Sequence, residues 1–417
     1  MDLKELVRSN RVGECKALPS ICTANESVLG ATVAFAAEHK IPALIEATCN
    51  QVNQFGGYTG LRPADYAKKI RSKAETAGLP QDDLILGGDH LGPNPWKHLD
   101  ASNAMENAKV LVKDFVEAGF TKIHLDASMA CANESTPSFE LVAQRSAELC
   151  QVAEAHAPDA SKLCYVIGTE VPIPGGETDD MSDIQVTTVD NLAATINTHI
   201  DAFEKGGVPQ GIEKSIAVVV QPGVDFSHDG IFHYDRDKAV NLTQAIGEYD
   251  GIAFEAHSTD YQSTEDLSAL VADHSVILKV GPEITFRFRE SIMALDQLER
   301  QLGIKDKADV IDVVLSVMDK SPADWKNYYQ GDDAEIAYLK LYSLSDRVRY
   351  YWDQDEVKSA LAKLMHNLDT VGIRSALATQ LGSDFPSPEP VLSPRSIIDQ
   401  RICTTLSRYY KACGLIS

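Results

Sequence analysis

The sequence predicts an α/β protein: a closed (β/α)8 TIM barrel with a mainly helical C-terminal extension. Eight short runs of β-branched and aliphatic residues lie at 17–24, 42–48, 84–93, 122–128, 163–171, 215–223, 251–257 and 276–282. They are too short for helices and do not alternate in polarity, which suits parallel strands covered on both faces. A stretch of helical periodicity separates each run from the next, and eight such units in succession are the pattern of a closed barrel. Beyond Gly303 the alternation stops and only helical patches remain, at 308–318, 334–342 and 356–368. Residues 1–302 are therefore assigned to the barrel, with its eight strands within 13–302, and residues 303–417 to a helical extension packed on it.

Bulk properties narrow the function. A chain of 417 residues, 44% hydrophobic and 24% charged, can bury one large barrel core and carry an appendage. The net charge of −23 argues against a nucleic-acid or anionic-membrane surface, because both need clustered Lys and Arg. A small anionic substrate stays compatible, since backbone amides hold phosphate inside an acidic protein. The eight cysteines form no C-x-x-C pair and read as reduced and mostly buried, hence a cytoplasmic protein. The first residues lack the apolar core of a signal peptide, and no stretch approaches the ~18 apolar residues of a membrane span.

Active sites of such barrels sit at the C-terminal strand ends, so the chain is read for what lies there. Residues 1–12 form a short amphipathic helix, and Asn25 suits an N-cap for a helix over 26–39. The second strand runs into CNQVNQFGGYTG, a long loop rich in amides and glycines that suits a hydroxyl-binding wall, with Asn50, Gln51 and Asn53 as candidate contacts. The third ends GGDHLGPN, placing Asp89 and His90 before a Gly-Pro turn. On the fourth, His124, Asp126 and Ser128 share one face because side chains alternate. A carboxylate at the end of the fifth, Glu170, is costly unless paired or bound to a cation, so it is a candidate ligand or base. The acidic loop at 179–183 reads as solvated. The sixth run ends at Gln221 and leads to Asp225 at the rim. The seventh ends His257-Ser258, with His257 in the same relation to its strand as His90. At the eighth, Pro282 suits a first helical turn, and Gly281 with Ser258 forms the usual phosphate cradle.

Two histidines and four acids at strand ends suit a divalent ion such as Zn²⁺, with ligands from separate strands and a position left for substrate: His90, His257, Asp225 and Glu170. Pairing of Asp89 or Glu170 with Lys279 or Arg62 is the structural alternative. The aromatic and arginine-bearing segment 342–352, which contains Arg347 and Arg349, suits substrate binding or packing against a partner, with burial against the barrel as the default reading, and the Pro-rich stretch 385–394 reads as a boundary. No P-loop occurs, which leaves an ATP-using kinase without support.

The motifs IEATCNQVNQFGGYTG, GGDHLGPN, KIHLDAS, IGTEVPIPGGE, VVVQPGVDF, EAHSTDYQ, ILKVGPEITF and YSLSDRVRYYW, in this order through nearly the whole chain, resemble the Z-type (GatZ/KbaZ-like) subunit family of class II D-tagatose-1,6-bisphosphate aldolase. The resemblance implies a barrel acting in galactitol or amino-sugar catabolism, usually as a non-catalytic partner of a Y-type aldolase subunit. Against the catalytic class II aldolases it implies Asp89 as acid/base group, His90 as a zinc ligand, Glu170 and His257 at metal-site positions, and Asp126 with Ser128 on the fourth-strand motif. Two departures stand out: the second zinc histidine after the sixth strand is missing, with Asp225 as nearest substitute, and Gly281 replaces the eighth-strand asparagine. Two functions follow as expectations. One is an accessory subunit that retains a metal and sugar-phosphate site; the other is a metal-dependent C4 epimerase of tagatose and fructose or their 6-phosphates, working by retro-aldol cleavage and rejoining. The expected site has Asp89, Glu170 and Asp126 in catalysis, and Asn50, Gln51, Asn53, Ser128, Gln221, Ser258 and Gly281 around the substrate. Expected partners are the ketohexose or its phosphate, a Y-type subunit and further copies of the chain.

Overall fold

Eight parallel strands close into a barrel in the computed structural model, which describes residues 1–170, 184–379 and 390–417. They follow one another in chain order: β1 (Leu18–Cys22), β2 (Ala43–Thr48), β3 (Leu84–Leu91), β4 (Lys122–Leu125), β5 (Cys164–Ile167), β6 (Ser215–Val220), β7 (Ala253–Ala256) and β8 (Ser275–Val280). Pairing of β8 with β1 closes the ring. Every strand is followed by a helix, and side-chain caps start several of these helices beyond the strand ends. Asn25 accepts from the amides of Ser27 and Val28, Asp100 from Asn103, Ser138 from Leu141 and Ser263 from Asp266.

The strands read as unbroken apolar runs because both faces are buried, yet the interior of the barrel is not aliphatic throughout. Glu46 on β2, Lys122 on β4, Glu255 on β7 and Lys279 on β8 are all buried and meet one another. The fifth strand is shorter than its sequence run. Past Ile167 the chain bonds to the following helix Val189–Lys205 instead of a neighbouring strand: Thr169 meets Thr195, and Glu170 accepts from Asn191 at 2.6 Å.

The extension contributes helices Val310–Lys320, Asp333–Tyr342, Asp355–Val371 and Pro394–Ala412. The last of these packs against helices Glu26–His39, Thr264–Ala272 and Pro282–Gln301, so it is seated in the outer helix layer. Tyr410 donates to the Pro42 carbonyl at 3.0 Å, Tyr409 to that of Thr259 at 2.7 Å, and Cys413 accepts from the Ala17 amide. The eight cysteines are free. No helix among the described residues is long and apolar enough to cross a membrane. The acidic loop 179–183 and residues 385–389 of the Pro-rich stretch lie outside the described residues.

Candidate functional site

The end of β3 departs from strand geometry at the residues that matter. The pairing of β3 with β4 shifts register between Gly88 and Leu91, and His90 takes a left-handed φ of 48°. Strict alternation would send neighbours to opposite faces; this break lets Asp89 and His90 line the same cavity. Ser258, after β7, is left-handed as well, at φ 52°. Such conformations cost about 1–3 kcal/mol and persist where the surroundings over-determine them. Gly92 permits the turn: a Cβ there would stand 1.6 Å from the Asp126 carbonyl oxygen.

The cavity at this end has a volume of about 600 Å³. Its floor carries Asp89, His90, His257 and Lys279, and its walls include Asn50, Gln51, Ser258, Asp260 and Gly281. Below it runs the buried ion network. Lys122 Nζ lies 2.7 Å from Glu46 and 2.6 Å from Glu255, and Lys279 Nζ pairs with Asp89 and lies 3.1 Å from Glu46. Burial alone would raise the Asp89 carboxyl, but His90 and Lys279 hold it well below the usual carboxylate range. Glu255 is likewise held down against burial by Lys122 and Lys279. His90 Nδ1 is 2.8 Å from Asp126, and burial is outweighed by Asp89 and Asp126, which lift the imidazole above its ordinary value. Burial and Lys279 instead push His257 down to about 3, so it is neutral.

One group of side chains has the make-up of a metal centre. Donor atoms of Asp89, His124, Glu255 and His257 all lie within 4.8 Å of one another. The rings of His90, His124 and His257 stand 5.0, 5.1 and 5.3 Å apart, centre to centre. Imidazoles converging on one ion with Zn–N bonds of about 2.0–2.1 Å stand about 5 Å apart, so the spacing fits. The Nε2 of His124 is buried with no hydrogen-bond partner, and a cation would satisfy it. Charge points the same way: Asp89, Glu46 and Glu255 are three carboxylates against the two ammonium groups of Lys122 and Lys279. The residues present therefore fit a divalent ion.

The expected ligands do not converge as one set. His257 belongs to the group and His90 stands beside it, but Asp225 and Glu170 do not join it. Asp225 opens a two-stranded hairpin with Ile231–Phe232 and accepts from the Phe226 amide, while Glu170 turns to Asn191 on the helix side. Their places are taken by His124 and Glu255, two strand residues whose inward direction only barrel closure reveals. The alternative pairing of Asp89 with Lys279 is realised; it leaves Asp89 on the cavity floor. Asp126 positions His90 and also accepts from Ser128 at 2.6 Å, which occupies that hydroxyl.

Among the expected substrate contacts, Asn50, Gln51, Ser258 and Gly281 line the cavity. Asn53 is spent within its own loop, accepting from the amides of Phe55 and Gly57, and Gln221 accepts from those of Gly223 and Val224 in a turn. The phosphate cradle is filled from within. The amides of Gly281 and Glu283 both donate to Asp260, at 3.0 and 2.8 Å. Burial, with Glu283 close by, pushes the Asp260 carboxyl up to about 7 against the pull of those amides. Sequence reasoning missed this residue although it lies three positions past His257. It also set aside the extension, which brings Asp324, Tyr328, Arg347, Arg349 and Tyr350 to the cavity wall. The mixed arginine and tyrosine segment was the available signal.

One solved structure shares this architecture closely. The structure is similar to that of a protein from Sinorhizobium meliloti described as a probable tagatose 6 phosphate kinase, with a TM-score of 0.87 and 39% identity over 95% of this chain and 100% of that one. Fructose-bisphosphate aldolase from Campylobacter jejuni aligns at a TM-score of 0.47 and 14% identity, over 88% of this chain and 95% of that one. Residues 3–414 match the family described as D-tagatose-1,6-bisphosphate aldolase subunit GatZ/KbaZ-like. The chain therefore belongs to the GatZ/KbaZ-like family of D-tagatose-1,6-bisphosphate aldolase subunits.

Proposed function

We propose that the protein is a metal-dependent epimerase that inverts C4 of a ketohexose or its phosphate, interconverting the tagatose and fructose configurations. The observation that carries this reading is the convergence of Asp89, His124, Glu255 and His257 beneath an open cavity. The C4 hydrogen is not acidified by the C2 carbonyl, so direct deprotonation at carbon is unfavourable. Cleavage avoids that step. Loss of the O4 proton opens the C3–C4 bond, leaving an aldehyde at C4 and the electron pair in a three-carbon enediolate. The aldehyde turns over, the C3–C4 bond re-forms on its other face, and the proton returns to O4, so atoms and electrons balance. A divalent ion held by His124, His257 and Glu255 would supply a Lewis acid for the substrate's carbonyl end, leaving Asp89 beside it for proton transfer. Asp89 takes and returns the O4 proton, His124 and Lys279 hold its carboxylate in place, and the Lys279 ammonium adds positive charge beside the developing enediolate. Asn50, Gln51 and Ser258 offer hydrogen bonds to the sugar hydroxyls.

Family membership favours a second reading, an accessory subunit that supports a Y-type aldolase and keeps this site for binding. Incubation of the pure protein with tagatose 6-phosphate and Zn²⁺ separates the two readings. Epimerase activity gives fructose 6-phosphate from this chain alone, and Asp89→Asn lowers kcat by about 10²–10⁴-fold with the fold retained. No turnover alone or with a Y-type subunit leaves the accessory role.

A further inference from the structure

The site described above lacks an obvious place for a phosphate, because Asp260 already occupies the amides of Gly281 and Glu283. Two arginines of the cavity lie elsewhere on its wall. Arg347 is 6% exposed, and its guanidinium carbon lies 3.3 Å from the centre of the Tyr328 ring. Its Nε donates to the Asp324 carbonyl and its main-chain amide to Tyr329, while Nη1 and Nη2 make no hydrogen bond or ion pair among the described residues. Arg349 donates to the carbonyls of Ser345 and Asp346 and to the Tyr350 hydroxyl, and it too pairs with no carboxylate. Asp324 lines the same wall with no ion-pair contact to either arginine among the described residues, though burial raises its carboxyl against the pull of both arginine charges. Burying cations without paired anions is costly, and a guanidinium held flat against an aromatic ring is pre-organised for a two-pronged oxyanion contact.

We propose that the C-terminal extension supplies the phosphate subsite of this cavity, with Arg347 and Arg349 taking the phosphate monoester of a ketose whose carbonyl end lies on the floor. The proposal rests on the reading of the cavity as a ketose site. It also narrows the substrate. The Gly281 cradle is closed by a carboxyl, so among the described residues the arginine pair is the assigned phosphate position, and a monophosphate is expected to bind in preference to a 1,6-bisphosphate. Arg347 and Arg349 become specificity-determining residues contributed by a segment outside the strand and helix alternation.

Calorimetric titration of the full chain with inorganic phosphate, fructose 6-phosphate and fructose 1,6-bisphosphate reads this subsite without turnover. The wild type is expected to bind the monophosphate more tightly than the bisphosphate. Arg347→Gln and Arg349→Gln should each weaken binding of inorganic phosphate and of the monophosphate by about tenfold or more, with Arg347→Lys in between. In turnover the same variants should raise KM for the 6-phosphate more than they change kcat. Unchanged phosphate binding in both variants, or tighter binding of the bisphosphate, overturns the proposal. If the Gln variants do not fold, phenylglyoxal labelling of the wild type decides: inorganic phosphate should protect Arg347 and Arg349, and absence of protection overturns the subsite. Arginine-dependent phosphate binding without epimerisation keeps the subsite and discards the epimerase; epimerisation with arginine-independent binding does the reverse.

Discussion

Asp260 shows how one side chain can change what a strand end does. Its Oδ1 takes the two amides that a ligand phosphate would otherwise use, and burial pushes its pKa up to about 7, well above the ordinary carboxylate range. A carboxyl raised on folding stabilises the fold below its unfolded value, and that stabilisation is lost as pH rises through the folded one. Asp260→Asn keeps an oxygen for the amides but cannot ionise. Its melting temperature relative to wild type should therefore climb between about pH 4 and pH 8, and an equal difference at both ends would show that the carboxyl is not raised. His199 makes the opposite case. Burial lowers it to about 4, so it contributes stability that is lost as pH falls below about 6.5. His199→Gln should flatten the acid limb of the stability profile in urea titrations.

At the level of elements, the turn after β3 and the last helix are the places where single residues decide the packing. A methyl group on Gly92 would overlap the Asp126 carbonyl, and neither backbone can yield without moving Asp89 or His90. Gly92→Ala is expected to lower activity and protein yield together, a pairing that assays beside circular dichroism would reveal. Helix Pro394–Ala412 lies beyond the helical patches marked in the sequence, yet Leu406 is fully buried and the helix touches three helices of the outer layer. Leu406→Ala should cost about 2–5 kcal/mol in equilibrium denaturation, as for a core residue; a loss near zero would make the helix a loosely attached tail.

The whole barrel is organised around buried charge. Lys122 is fully buried between Glu46 and Glu255, and removing it leaves two carboxylates facing one another through low dielectric. Lys122→Met should destabilise the protein by about 3–5 kcal/mol, measurable by urea titration. The same excess of negative charge predicts that chelation with EDTA lowers the melting temperature and Zn²⁺ restores it, since an ion bound only by the folded state stabilises it by mass action.

Local chemistry was enough to predict the barrel. Short β-branched runs recur eight times, and cues such as the capping residue Asn25 and the proline opening helix Pro282–Gln301 act within a few residues. Local chemistry also placed Asp89, His90, His257, Asn50, Gln51, Ser258 and Gly281 near one mouth, because strand ends are marked by the turns that follow them. What required the tertiary structure was direction and closure. In a strand buried on both faces, alternation does not distinguish inward Glu46, Lys122, His124 and Glu255 from neighbours that face helices, and the bulge at Asp89 and His90 suspends alternation altogether. Contacts across hundreds of residues decided the rest: Lys279 against Asp89, and Arg347 and Arg349 facing the same cavity as His257. Such pairings depend on where the ring closes and where the extension folds back, and no spacing along the chain encodes that distance.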